Sequence, residues 1–251
     1  MRALKTLIHR LGVLNYLRQS GMPLALWPHQ WRSLWTMKSL RKRYQGEFEC
    51  YRQQSAALEL SQDWFTGNIP LWLSVMDELG LRQAPLRALE IGCWEGLSAH
   101  FLLTALPQAR ITCVDTWQGA DEHRDASFEG ARDLSRIEAR FDRNLAAYAD
   151  RVQKYKGESQ HFFATAERRP VYDWIYVDGS HHADDVLLDA IRGFRLLRTG
   201  GVMVFDDYLW RYYPRLRDNP AAAIHQFLKL KKGCYRVLRS HYQLILCRIA
   251  T

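Results

Sequence analysis

Four stretches of the 251-residue sequence place acids, glycines and aromatic rings directly after apolar, strand-like runs. The first is Leu89-Glu90-Ile91-Gly92-Cys93-Trp94-Glu95-Gly96. The second, Ile111-Thr112-Cys113-Val114-Asp115, ends in an acid followed by Thr116 and Trp117. The third closes on Asp178-Gly179-Ser180-His181-His182, and the fourth, from Gly200, closes on Asp206-Asp207-Tyr208. In an open α/β sheet such strand ends line the ligand crevice.

Each stretch suggests its own chemistry. Gly92 allows a sharp turn, and Gly96 lets a helix start close to a ligand, its free N–H groups facing a negative charge. Trp94 occupies the position where a dinucleotide fingerprint needs its second glycine. Asp115 is placed to take both hydroxyls of a ribose, or else to cap a helix. Trp117 fits against a purine face, or packs in a core. If the third and fourth strands are neighbours, Asp178, Asp206 and Asp207 converge. Three carboxylates share a site only if one is protonated or a cation neutralises them. Hard oxygen ligands without a thiolate favour Mg²⁺, with Mn²⁺ or Ca²⁺ as alternatives, while metal-free capping roles are the plainer reading. His181 and His182 suit a base, a contact to metal-bound water or a helix start; neither has zinc spacing.

These residues need a scaffold, and its pattern is legible. Strand-like runs at 87–91, 110–115, 152–156, 172–178 and 201–206 alternate with helical periodicity at 70–79, 96–105, 133–147, 158–167, 183–197 and 219–231. That alternation predicts a mostly parallel sheet covered on both faces. Two last runs, near 235–239 and 243–249, are so close that they must form a hairpin, which makes the final strand antiparallel.

Composition agrees: 47% hydrophobic and 25% charged residues fit a globular domain, and no apolar run reaches the ~20 residues of a bilayer-spanning helix. Five cysteines without a CxxC pair suggest a reducing compartment, hence a cytoplasmic location.

The net charge of +8 is localised. Residues 1–45 carry nine Lys/Arg and no acid, whereas the rest has 26 basic against 27 acidic residues. We divide the chain into a basic, Trp-rich helical extension (1–53) and a main domain (54–251). In the extension, Leu4, Leu7, Ile8, Leu11 and Leu14 recur at helical spacing, and a second helix opens at Pro28 with Trp27, Trp31 and Trp35 on one face. We expect these tryptophans to pack on the main domain, leaving a basic collar. The alternative is an interfacial helix pair peripheral to an anionic membrane. No motif supports nucleic-acid binding.

LEIGCWEG (89–96), VDTW (114–117), YVDGSHH (176–182) and GGVMVFDDYLW (200–210), with NPAAAIHQFL and YQLILC, together resemble the class I S-adenosylmethionine-dependent methyltransferases. The resemblance is to the metal-dependent sugar and antibiotic O-methyltransferase branch, with its DG-x-H and GG-x-x-x-x-DDY signature, and runs from about residue 60 to the C-terminus. It implies a doubly wound, seven-stranded Rossmann-like sheet and a small-molecule or saccharide substrate. It further implies S-adenosylmethionine on Glu90, Gly92, Trp94, Gly96, Asp115, Thr116 and Trp117, with Glu158, Ser159 and Asp178 completing the site. Mg²⁺ falls to Asp178, Asp206 and Asp207, and His181 is the first candidate for base. Walls for the acceptor are expected from loops 118–132 and 208–220, but neither the acceptor nor the oligomeric state is legible. Competing readings are a metal-independent N-methyltransferase or hydroxylase-like relative, a non-enzymatic membrane-surface or partner-binding protein, and an NAD-dependent reductase. Trp94 and the lack of a Tyr-x-x-x-Lys pair disfavour the last.

Overall fold

The alternating apolar runs become one seven-stranded sheet in the computed structural model, which describes residues 2–125, 134–166 and 169–250. Strands β1 (Leu86–Ile91), β2 (Ala109–Asp115), β3 (Val152–Lys156), β4 (Tyr172–Val177), β5 (Leu197–Phe205), β6 (Tyr235–Ser240) and β7 (Leu244–Arg248) lie in the order β3-β2-β1-β4-β5-β7-β6. The first five pair in parallel, and β7 runs antiparallel to both β5 and β6, as the hairpin spacing requires. The fold is the doubly wound, Rossmann-like one expected.

Alternation along the strands feeds two cores. Trp174 and Tyr176 of β4 join one apolar cluster and Ile175 and Val177 the other, so both faces of the sheet are covered. Ten helices supply the cover among the described residues: α1 (Arg2–Gln19), α2 (Trp27–Arg43), α3 (Gln45–Gln54), α4 (Ile69–Glu78), α5 (Leu97–Ala105), α6 (Asp121–Arg124), α7 (Ile137–Asn144), α8 (Ser159–Thr165), α9 (Ala183–Leu196) and α10 (Pro220–Leu230). In α9 the buried Val186, Ala190, Gly193 and Phe194 recur at helical spacing, and His182 caps its start by accepting the Asp184 N–H.

The basic extension is docked on the sheet domain, although not through the residues expected. Tyr16, Leu17, Met22 and Leu26 enter one core, and Met37, Tyr44 and Tyr51 enter the other. Directed bonds fix the seat. Tyr44 Oη donates to Asp77 (2.7 Å), Tyr51 Oη to the Leu97 carbonyl (3.1 Å), and Ser240 Oγ to Gln30 (2.5 Å). The expectation that all three tryptophans pack inward is corrected. Trp27 is half-buried, but Trp31 is 58% and Trp35 67% exposed. The sheet edge at Ser240 has a polar group to satisfy, so the face carrying Gln30 turns inward and the Trp31/Trp35 face turns out.

Candidate active site

Because β1, β2, β4 and β5 are parallel, their carboxyl ends open on one edge, where the strand order reverses between β1 and β4. A cavity of about 830 Å³ lies there, lined by all four motif loops and by Leu60 and residues 62–65 of the N-terminal approach.

Gly92 is the hinge of this edge. Its φ is +80°, and a Cβ added to it would stand 1.9 Å from the Asp178 carbonyl oxygen. The β1 and β4 loops therefore touch backbone to backbone. Gly96, at φ +83°, begins α5 and rests on Phe141 and Leu145; it shapes the helix start and does not line the cavity. Among the described residues, three that are not glycine also take left-handed backbone, Trp94, Trp117 and Asp207, all just beyond strand ends. Trp tolerates that region poorly, so backbone strain gathers at this edge.

Asp115 lines the cavity, but its carboxylate is already engaged. Oδ2 accepts the N–H of Cys93 (2.6 Å) and Trp94 (2.9 Å), and Oδ1 accepts that of Trp117 (2.6 Å). It thus clamps the β1 and β2 loops together. Burial still pushes its pKa up against those bonds. Trp117 departs from expectation. Only 5% exposed, it packs on Phe141, and its Nε1 donates to the Trp94 carbonyl, so its ring does not reach the cavity. The aromatic wall is instead Trp94, stacked on His123 at 4.6 Å with Trp64 at 5.3 Å. The buried Nε1 of Trp94 has no hydrogen-bond partner among the described residues. Thr116, Glu158 and Ser159 line the cavity as expected, with Ser159 donating to Asp189 (2.6 Å). Asp189 carries no sequence signal; burial raises its pKa to about 7.

Glu90 is fully buried behind the cavity lining and bonds Ser98 Oγ, which does face the cavity. Desolvation raises its pKa to about 8, with Asp115 and Asp206 adding to the rise. A carboxyl raised from an unfolded value near 4.5 binds its proton more tightly when folded. Its stability contribution is complete below that value and is lost as pH rises to about 8. Glu90→Gln, a neutral isostere, should therefore flatten the fall in thermal stability between pH 5 and about 8. An unchanged slope in calorimetric scans would assign the pH dependence elsewhere.

At the ends of β4 and β5 a tighter cluster forms. Asp178, His181 and Asp207 bring one donor atom each within 4.8 Å of one another. His181 lies between two acids: Nε2 is 2.8 Å from Asp207 Oδ2, and Nδ1 bonds Glu122 on α6. Tyr242 Oη donates to Asp207 Oδ1 (2.6 Å). Asp206 stands outside this group, which changes the set read from the sequence. Its carboxylate bonds Tyr176 Oη and accepts the Asp207 N–H (2.9 Å). Tyr176 Oη also lies 2.9 Å from Asp178 Oδ2.

Charge follows geometry. Burial, then Asp206 and Asp207, raise the Asp178 pKa well above the carboxylate range; burial and Asp207 raise Asp206 to about 7. Burial works against His181 as a cation, yet Asp207 and Glu122 outweigh it and raise the imidazole well above its usual value. Burial likewise opposes Asp207 as an anion, and His181 outweighs it. The cluster is thus a carboxylate–imidazolium–carboxylate row, Glu122–His181–Asp207, beside two carboxyls, Asp178 and Asp206, whose surroundings favour the protonated form. A cation would compete with the Asp178 proton, so Asp178 and Asp207 fit a divalent ion, with His181 beside them.

Glu122, 1% exposed with Oε2 unpartnered among the described residues, carries no sequence signal: Asp121-Glu122 resembles any acidic helix start. Of the loops expected to wall the acceptor, residues 118–124 and Trp210 line the cavity, and Tyr212 ties them together through Asp125 (2.7 Å). Residues 126–132 of the first wall lie outside the described residues.

Residues 89–208 match the family described as "Methyltransferase domain". No curated protein sequence matches the chain. Among solved structures, a candidate caffeoyl-CoA O-methyltransferase from Staphylococcus aureus superposes with a TM-score of 0.55 at 16% identity, covering 86% of this chain and 99% of that one. The O-methyltransferase from Bacillus cereus in complex with SAH gives 0.52 at 16%, covering 84% and 90%. MycE of the mycinamycin biosynthetic pathway, in complex with Mg and SAH, gives 0.53 at 16%, covering 85% of this chain and 55% of that one. At such identities the structures show the fold alone. The similarity to a methyltransferase domain thus lies in residues 89–208, on a fold shared with these structures.

Proposed function

We propose that the protein transfers a methyl group from S-adenosylmethionine to a hydroxyl of a small molecule or saccharide, assisted by a divalent cation, Mg²⁺ first among candidates. The observation that carries this reading is the Asp178/His181/Asp207 cluster opening into the same cavity as the β1 and β2 loops. Neighbours of the same fold include an O-methyltransferase in complex with SAH and the methyltransferase MycE in complex with Mg and SAH.

The cavity can accept the cofactor. The β1 loop and the Asp115 clamp form its floor, Gly157, Glu158 and Ser159 one side, and the Trp94 ring a wall with an unsatisfied donor. Asp178 and Asp207 would hold the cation, whose charge would favour the ionised form of an acceptor hydroxyl. S-adenosylmethionine, when bound, would supply an electrophilic methyl for in-line attack by that oxygen, its S–C bond breaking as the O–C bond forms and S-adenosylhomocysteine leaving. The hydroxyl proton must go to the protein. We assign it to His181 Nε2: the imidazole carries a proton while Asp207 and Glu122 both face it, would be neutral once Asp207 turns to the cation, and Glu122 at Nδ1 then stabilises the imidazolium that forms. Much of the rate comes from holding donor and acceptor in line.

Calorimetry and a methyl-transfer assay against hydroxyl-bearing compounds test this reading. S-adenosylmethionine should bind with chelator present, and turnover should stop. Preferential binding of NAD would overturn the class of cofactor. Turnover that ignores chelator would point to the metal-independent version, in which His181 supplies the neutralising charge.

Glu122→Gln tests the assigned proton path. The amide can still bond Nδ1 but not stabilise its charge, so kcat should fall by roughly 10–100-fold with little change in KM. Losing a carboxylate lowers the imidazole pKa, so the acid limb of the kcat profile should move to lower pH. An unmoved limb would remove Glu122 from the path.

A further inference from the structure

Helix α2 packs Trp27, Met37 and Leu40 on its own domain, yet also leaves large aromatic side chains on its outward face. Its inward face carries polar Gln30, 2% exposed and bonded to Ser240, and Ser33, bonded within the helix, together with Met37. Its outward face carries Trp31 and Trp35, one turn apart, with Leu24 exposed just before the helix begins. Lys38 and Lys42 continue the line of Trp31 and Trp35, and Arg32, Arg41 and Arg43 flank it, all exposed. None of these five cations pairs with a carboxylate among the described residues. Two indoles 58% and 67% exposed, on a helix anchored from behind, make an apolar patch set among cations.

We propose that this face seats the protein on an anionic lipid surface. The chemistry of the patch selects that occupant. Trp is the side chain of the headgroup region, with an apolar body and a polar N–H, and Lys and Arg beside it meet lipid phosphates. A second copy of this face is disfavoured, because residues 1–45 contain no acid and would bring like charges together. No described helix is long and apolar enough to cross a membrane, so the contact is peripheral. The helix needs no folding on contact: Gln30, Met37 and Tyr44 already hold it on the domain.

Flotation of the full chain tests the proposal, with vesicles of phosphatidylcholine alone or mixed with phosphatidylglycerol, at low and high salt. Binding should need the anionic lipid and weaken with salt. Trp31→Ala with Trp35→Ala should weaken it by about tenfold or more, and replacing Lys38, Arg41, Lys42 and Arg43 by Gln by roughly fivefold per charge. All six positions are exposed, so circular dichroism and cofactor affinity should stay as in the parent. No binding to anionic vesicles at low salt overturns the proposal, as does binding indifferent to both sets. Self-association lost with the two tryptophans, without lipid binding, would assign the face to a second copy and also overturn it. Lipid binding is read independently of methyl transfer, so failure of one reading does not mimic failure of the other.

Discussion

Asp207→Asn should lower kcat by roughly 10²–10⁴-fold and leave S-adenosylmethionine affinity within a few-fold. The residue meets every part of the proposed chemistry. Its Oδ2 faces His181, its Oδ1 accepts the Tyr242 hydroxyl, and the same carboxylate is a donor for a cation. Asparagine also tolerates left-handed backbone, so the φ of +50° can persist and the change is electrostatic. An amide can turn only one acceptor oxygen to two donors and cannot balance an imidazolium. His181 should then lose protons more readily, and cation affinity should fall. Cation binding has its own readout. Because its surroundings favour the protonated form of Asp178, uptake of Mg²⁺ there should release a proton, visible as titration heats that vary with buffer ionisation enthalpy. Full activity in Asp207→Asn would remove the cluster from the mechanism.

Gly92→Ala should be the most destabilising single substitution in the domain, costing about 4 kcal/mol or more. The added methyl would lie 1.9 Å from the Asp178 carbonyl oxygen and 2.4 Å from its carbon, and neither is the end of a flexible side chain. Relief requires parting β1 from β4, which are joined there by the Asp178 N–H to the Ile91 carbonyl (2.8 Å). A loss of that size should lower Tm by on the order of 10 °C in a chain of this length. Any folded fraction should bind cofactor poorly, since the same loop floors the cavity. A variant with parental Tm would show that the two loops can separate freely.

The sequence by itself determined the architecture and the edge at which the site lies. Apolar runs of strand length alternating with helical periodicity admit a parallel sheet, and the short gap before Leu244 makes β7 antiparallel. Once the strands are parallel, Gly92, Asp115, Asp178 and Asp207 must meet, because each ends a strand at the same edge. These are local facts carried by backbone pattern. What tertiary structure decided is where side chains point once backbone donors compete for them. Asp115 turned to three N–H groups that two loops left unpaired, because buried donors without acceptors are costly. Left-handed backbone at Trp117 sent its ring onto Phe141 and out of the cavity. Asp206 and Asp207 are adjacent in sequence, yet one bonds a buried tyrosine and the other a histidine. Glu122 became a partner of His181 across 59 residues through a four-residue helix with no periodicity to read. The outward turn of Trp31 and Trp35 was settled by Gln30 meeting Ser240, 210 residues away. Spacing along a chain fixes which face a residue shares, but which face is buried depends on what the distant chain offers it.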